Sequence, residues 1–208
     1  NTFNLPQRIA VVAQGTTAAT FATTKRQVTS ALEVGQVYGF GSPLHLIATM
    51  LFPQNGDGVG TIPVTVYPLD DHASGVVAEG VITPTGTQTT TQTYYARIGG
   101  VLSEAFTLPA ACNVATACDS IVAAINGTLA MPVIATDGTT TVDLEAKWKG
   151  ASGNDIAIEI LGTVSGITFG ITDMASGATN PSVSGALAQI GDVWETLVLN
   201  GLDIADTT

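Results

Sequence analysis

The sequence predicts an α/β (α+β) core domain with an inserted β-rich, sandwich-like domain that carries one helix. Three observations support that reading. Residues 8–13 (RIAVVA) form a short, nearly continuous apolar run, the pattern of a strand covered on both faces. From about 75 to 177, Thr and Gly dominate and apolar positions alternate with polar ones, as in antiparallel strands. After Gly177 the texture of helix and strand returns. The expected organisation is therefore a discontinuous core domain, 1–74 and 178–208, with an insert at 75–177.

In chain order, the run at 8–13 is the first strand, ended by Gln14-Gly15. Ser30-Ala31-Leu32-Glu33 reads as a capping box. In it the Ser30 hydroxyl accepts from the Glu33 amide and the Glu33 carboxylate returns to the Ser30 amide. That helix stops near Gly39. Ser42 and Pro43 then act as N-cap and first-turn residue of a second helix, where the missing proline N–H costs nothing. Pro53 and the loop Gly56-Asp57-Gly58-Val59-Gly60 end it, and 63–67 (PVTVY) is the next strand. Strand, helices, strand implies a parallel pair joined by a crossover.

Within the insert, 91–98 alternates around Tyr95, Gly99-Gly100 supplies a two-residue hairpin turn with positive φ, and 101–108 returns. Val114, Cys118, Ile121, Val122 and Ile125 recur at helical spacing over 113–125, with Asn126-Gly127 as terminator. A second hairpin joins 132–136 to 139–148 around Asp137-Gly138. Along it Val142, Leu144, Ala146 and Trp148 face one way, and Asp143, Glu145 and Lys147 the other. Ile156, Ile158 and Ile160 share one side of 155–161, and 167–171 is a further strand. In the returning core segment, Asn180-Pro181 opens a helix through Leu187 and Ile190 to Gly191. An apolar strand follows at 194–199, before the chain's last stretch at 203–208.

Composition excludes several classes of function. The 208 residues carry a net charge of −11, with a pI near 4.2, against the clustered Lys and Arg that a nucleic-acid grip requires. Hydrophobic residues reach 45% and charged residues only 11%, which argues for a folded core and against disorder. The longest apolar stretch, 44–52, contains His45 and falls far short of the ~20 residues of a membrane span. The chain opens Asn1-Thr2-Phe3, with neither Met nor a signal segment, and is expected to be trimmed from something longer. The charge divides as −1, −6 and −4 over the three blocks, so the insert is the most acidic and suits an outward-facing module.

No constellation of reactive groups outweighs its structural explanation. Cys112 and Cys118 lack CxxC spacing and a neighbouring His cluster; Cys118 is in phase with the helical stripe and reads as a small buried hydrophobe. Ser42 already has work as an N-cap, and His45 lies beside Leu44 and Leu46 with no G-x-S-x-G elbow in the chain. Asp70-Asp71-His72 has the residue types for a divalent cation, but one acidic tripeptide does not complete a coordination shell, and a solvated turn explains it. Asp143 and Glu145 lie about 7 Å apart on one strand face, a spacing a glycosidase pair could use, yet solvent exposure explains both. Gly15 and Gly39-Phe40-Gly41 lack the remaining residues of a phosphate loop. No catalytic, cofactor-binding or metal residues are therefore assigned, and no cofactor is expected.

The order of the segments resembles the tail sheath proteins of contractile bacteriophages, in the phage Mu-like branch. The segments concerned are 8–15; 30–44 (SALEVGQVYGFGSPL); 64–70; Ala78-Glu79-Gly80-Val81-Ile82-Thr83 with Gly86; and Ile98-Gly99-Gly100. They continue with Ala123-Ala124-Ile125-Asn126 and Pro132-Val133, 146–154 (AKWKGASGN), and Asn180-Pro181 with Ala186-Leu187 and Asp192. Each alone is a cap, a turn or a core strand; their order over nearly the whole chain carries the likeness. The resemblance implies a non-enzymatic virion protein whose subunits stack helically around the tail tube and contract to drive it through the host envelope. Its implied partners are other sheath subunits, the tail tube, the baseplate and the tail terminator, in a phage tail assembled in the bacterial cytoplasm. It also implies that an N-terminal arm and a C-terminal domain, which join neighbours by strand addition, lie outside this sequence, so the isolated fragment is expected to be monomeric or weakly associated. A cell-surface or adhesive β-rich binding module is the alternative that the Thr- and Gly-rich acidic block suggests.

Overall fold

The computed structural model describes residues 7–202; the features read at the two ends, 1–6 and 203–208, lie outside the described residues. Among the described residues, four helices and three sheets make a mixed α/β fold. It divides into two compact units, one formed by residues up to Gly75 with those from Asn180 on, the other by Val76–Thr179.

In the first unit, β1 (Ile9–Gln14) is buried at every position. It is followed by β2 (Arg26–Val28), α1 (Ala31–Tyr38), α2 (Pro43–Leu51) and β3 (Val64–Leu69). After the second unit come α4 (Ser184–Ile190) and β12 (Leu197–Asn200). The sheet order is β12-β1-β3-β2, with β1 parallel to both β3 and β12 and the short β2 antiparallel to β3. The crossover read from strand, helices, strand is present, and period-2 alternation with cover on both faces explains why 9–13 is apolar throughout. Ile9, Val11 and Ala13 pack with Val34, Tyr38, Leu44 and Ala48 of α1 and α2. Ala10 and Val12 instead pack with Tyr67, Leu69 and Ala186 of α4.

Ser30, Ser42 and Asn113 cap their helices as expected, with one correction at Ser30, whereas the helix expected to open at Asn180-Pro181 starts only at Ser184, with Val183 before it making no side-chain cap bond. Ser30 Oγ accepts from Glu33 N at 3.2 Å, but the Glu33 carboxylate accepts from Thr29 N at 3.1 Å, one residue upstream of Ser30, and pairs with Arg26 at 2.8 Å. The salt bridge draws the carboxylate toward β2, a strand too short and too polar to be read in the sequence. Ser42 Oγ accepts from His45 N, with Pro43 in the first turn. Gly35 sits where the helix passes close to Phe40; a Cβ there would lie 2.5 Å from the ring. The last strand is shorter than 194–199, because Trp194 lies outside the sheet and is 63% exposed.

The second unit contains β4 (Val77–Gly86), β5 (Gln92–Ile98), β6 (Val101–Leu102), β7 (Phe106–Leu108) and α3 (Val114–Gly127). Then come β8 (Val133–Asp137), β9 (Val142–Lys149), a 3₁₀ turn at Ala151–Asp155, β10 (Ile158–Leu161) and β11 (Ile167–Ala175). One antiparallel sheet runs β11-β4-β9-β8; in the other, β10-β5-β6, β7 also pairs with β5. Residues of both sheets and of α3, among them Ile82, Tyr94, Ile98, Ile121, Ile125 and Leu144, share one apolar core. Each such fully buried side chain contributes about 1.5–3 kcal/mol.

Three expectations change in detail. The returning strand at 101–108 splits into β6 and β7 because Ser103 breaks the ladder: its hydroxyl accepts from Ala96 N and donates to Glu104 O. The second hairpin closes through a four-residue loop, since Asp137 pairs with Val142 and Gly138 N donates to Thr141 O. Thr139, not Gly138, takes the positive φ there, at 70°. Asn126 and Gly127 lie inside α3 instead of ending it. Gly99 and Gly100 do hold positive φ, 55° and 81°, as the two-residue turn requires.

Candidate functional site

Of the polar residues singled out in the sequence, Ser42 and His45 belong to the first unit. His45 is 5% exposed, and its Nδ1 accepts from Gly41 N at 3.2 Å, which bridges the start of α2 to the turn before it. Phe40 packs edge-on against its ring, 5.2 Å between centroids. Ser42 is buried and occupied by its cap bond. The geometry makes Ser42 and His45 parts of one helix start.

Asp71 closes the end of β3. It accepts from Gln14 Nε2 at 2.7 Å and from the Thr17 hydroxyl at 2.5 Å, so it ties the loop after β1 to the loop after β3. His72 Nδ1 faces the Ser74 hydroxyl at 2.9 Å. A cleft of about 380 Å³ adjoins this turn, lined in part by Asp70, Asp71, His72, Ser182 and Gln189. Among the described residues no group of three or more His, Cys, Asp or Glu is arranged to hold a metal ion. Asp143 and Glu145 lie on the outward side of β9, where Glu79 stands directly across from Glu145 and Val81 from Asp143. Like charges placed opposite each other destabilise a ladder unless solvent screens them, which fits an exposed face.

Cys112 and Cys118 are free and buried, and burial pushes both thiols up. Burial likewise raises Tyr38, and Tyr67, whose hydroxyl donates to Glu195 Oε1 at 3.2 Å. Desolvation by burial lowers Lys147, whose ammonium donates to Leu129 O at 3.3 Å.

Sequence reasoning missed two asparagines that act alike. Asn126 Nδ2 donates to Ala135 O at 2.8 Å and its Oδ1 accepts from Ala135 N at 3.0 Å. The side chain thus imitates a strand partner on the open edge of β8. Asn154 does the same to Gly177, at 3.0 and 2.8 Å. Beside that clamp Val76 and Ala178 exchange two backbone hydrogen bonds, 3.0 and 3.2 Å, which fasten together the two ends of the second unit. For Asn126 the available signal is its place after the helical stripe, which reads as a terminator; Asn154 gives no such signal.

Edges separate the described strands. β2 is short and carries Arg26, and β8 is covered by Asn126. At β12 the outer side is bare among the described residues. Leu197 and Gly201 donate to Arg8 O and Val12 O of β1 and its flank, so alternation turns the amides of Val198 and Asn200 to the open side. Leu197 and Val198 are 46% and 51% exposed, on opposite faces of the sheet. Just upstream, Glu195 Oε2 is buried without a hydrogen-bond partner among the described residues. Isolated sheets blunt their edges with charge, proline or short strands, and β12 carries neither of the first two.

No helix is long and apolar enough to cross a membrane among the described residues. No protein-family model matches the chain. The chain is 29% identical over 181 residues to the tail sheath protein of Mu-like prophage FluMu from Haemophilus influenzae; the match covers 84% of this chain and 36% of that protein. The chain therefore spans about a third of the length of that relative. The likeness read from the order of caps, turns and strands is borne out: a Mu-like phage tail sheath protein is a homologue of this chain.

Proposed function

We propose that the chain is part of a structural subunit of a contractile phage tail sheath, which assembles helically around the tail tube and contracts to drive it through the host envelope. The observation that carries this reading is the match to a tail sheath protein over 84% of the chain. Two features of the structure support it. Ser30, Ser42, Asp71, Asn126 and Asn154 serve as caps, clamps and turn closures. The bare edge of β12, with apolar residues on both faces, suits a subunit completed by further strands, and strand addition between non-closing neighbours generates a helical lattice. Proposed partners are other sheath subunits, the tube, the baseplate and the tail terminator, in the virion tail, and assembly takes place in the host cytoplasm. No enzymatic step is assigned.

On this reading 1–74 with 178–208 is the discontinuous core domain, and 75–177 is an inserted, sandwich-like lobe that faces outward. The acidity of the lobe supports that placement, since its charge of −6 favours solvent over a packed interface. Immunogold electron microscopy of the phage particles with antibodies raised against this chain tests the proposal. Regular labelling along the whole tail is expected. Labelling confined to the head, to the fibres or to non-phage material overturns it.

A further inference from the structure

The sequence contains three Asn-Gly pairs: Asn55-Gly56, Asn126-Gly127 and Asn200-Gly201. We propose that Asn55-Gly56 is a site of spontaneous deamidation, and that the fold protects the other two pairs. This proposal is independent of the sheath reading.

An Asn-Gly pair reacts when the glycine amide nitrogen gives its proton to solvent and attacks the asparagine Cγ. A C–N bond forms and closes a five-membered succinimide, and the side-chain nitrogen leaves as ammonia with a proton from solvent. Water then opens the ring. Cleavage between the ring nitrogen and the side-chain carbonyl gives aspartate; cleavage between that nitrogen and the main-chain carbonyl gives isoaspartate. Water is the sole co-reactant. Glycine favours the attack because no Cβ hinders it, and the reaction needs a nitrogen free to turn toward Cγ.

The three pairs differ in that nitrogen. Gly201 N donates to Val12 O at 2.9 Å within the sheet, and Asn200 Oδ1 accepts from Leu202 N at 3.1 Å. Gly127 is in the last turn of α3, where its N–H belongs to the helical ladder, and both amide atoms of Asn126 are held by Ala135. By contrast, Asn55 and Gly56 lie exposed in the loop between α2 and β3. Gly56 N makes only a long turn contact to Pro53 O, 3.3 Å, and a Cβ at Gly56 would meet nothing within 4 Å. Space for the ring, an exposed amide and a weakly held nucleophile meet at this pair. Conversion places a carboxylate two residues from Asp57 and makes the chain more acidic by one charge.

The test is peptide mapping by mass spectrometry, with enzymatic isoaspartate labelling, after incubation of the folded chain at mildly alkaline pH. Position 55 should convert roughly tenfold or more faster than 126 and 200, which must first open locally. In urea the three rates should converge. Asn55→Gln should remove the fast product and leave the urea midpoint unchanged. Equal rates at the three positions in the folded chain, or fast conversion that persists in Asn55→Gln, overturn the proposal.

Discussion

Asn126→Ala removes the side chain that stands in for a strand beside β8. Ala135 is 4% exposed, and its N–H and C=O both pair with Asn126. The substitution leaves both without their partner, and each buried group so orphaned costs about 1–3 kcal/mol. Asn126 itself lies at the surface, so water recovers part of that loss and the expected destabilisation is about 2–4 kcal/mol. For a unit of roughly one hundred residues, each kcal/mol lowers Tm by about 4–8 °C. Urea unfolding gives the stability, and hydrogen exchange at Ala135 locates it: the amide should lose protection beyond the global change. A shift below about 0.5 kcal/mol, the size of an ordinary surface substitution, refutes the clamp as an edge device.

Replacing 77–177 by a short linker should leave the first unit folded by circular dichroism, because Val76 and Ala178 exchange two backbone hydrogen bonds; an unfolded product counts against the proposed domain boundaries. The raised Cys112, Cys118, Tyr38 and Tyr67 favour the folded state while they stay protonated. The contribution of these four groups should therefore be level below the ordinary thiol value of 9.0, and stability should fall as pH rises past it and past the ordinary tyrosine value of 10.0, with Lys147 opposing the trend. A urea midpoint that holds or rises there contradicts this. Both thiols should also resist a thiol reagent at neutral pH until the chain unfolds, whereas rapid native-state labelling refutes their burial. In light scattering the isolated chain should be monomeric or weakly associated; a stable ring or filament contradicts that expectation.

The parts of the fold set by local chemistry were legible in the sequence. Ser30 and Ser42 announced their helices because a hydroxyl next to a helical stripe has an amide to accept from. The uninterrupted apolar run of β1 announced a strand with cover on both sides. Less legible were features that depend on partners far along the chain. β4, which pairs with both β11 and β9, is not legible as a strand, since Gly80 and Pro84 fall on its buried face and blur the alternation. β2 is three residues long and exists because β3 offers an edge. Asn126 and Asn154 look like turn residues until Ala135 and Gly177 are placed opposite them. Asp71 was set aside as a solvated turn, and its bonds to Gln14 and Thr17, more than fifty residues away, could not be read from spacing.

Helical reconstruction of the phage tail by electron cryomicroscopy tests the central claim most directly. The account predicts a helical sheath density around the tube into which each of the two units, fitted by itself, falls once in every subunit. A reconstruction in which the sheath holds neither unit, or in which this chain occupies only the tube or the baseplate, contradicts it.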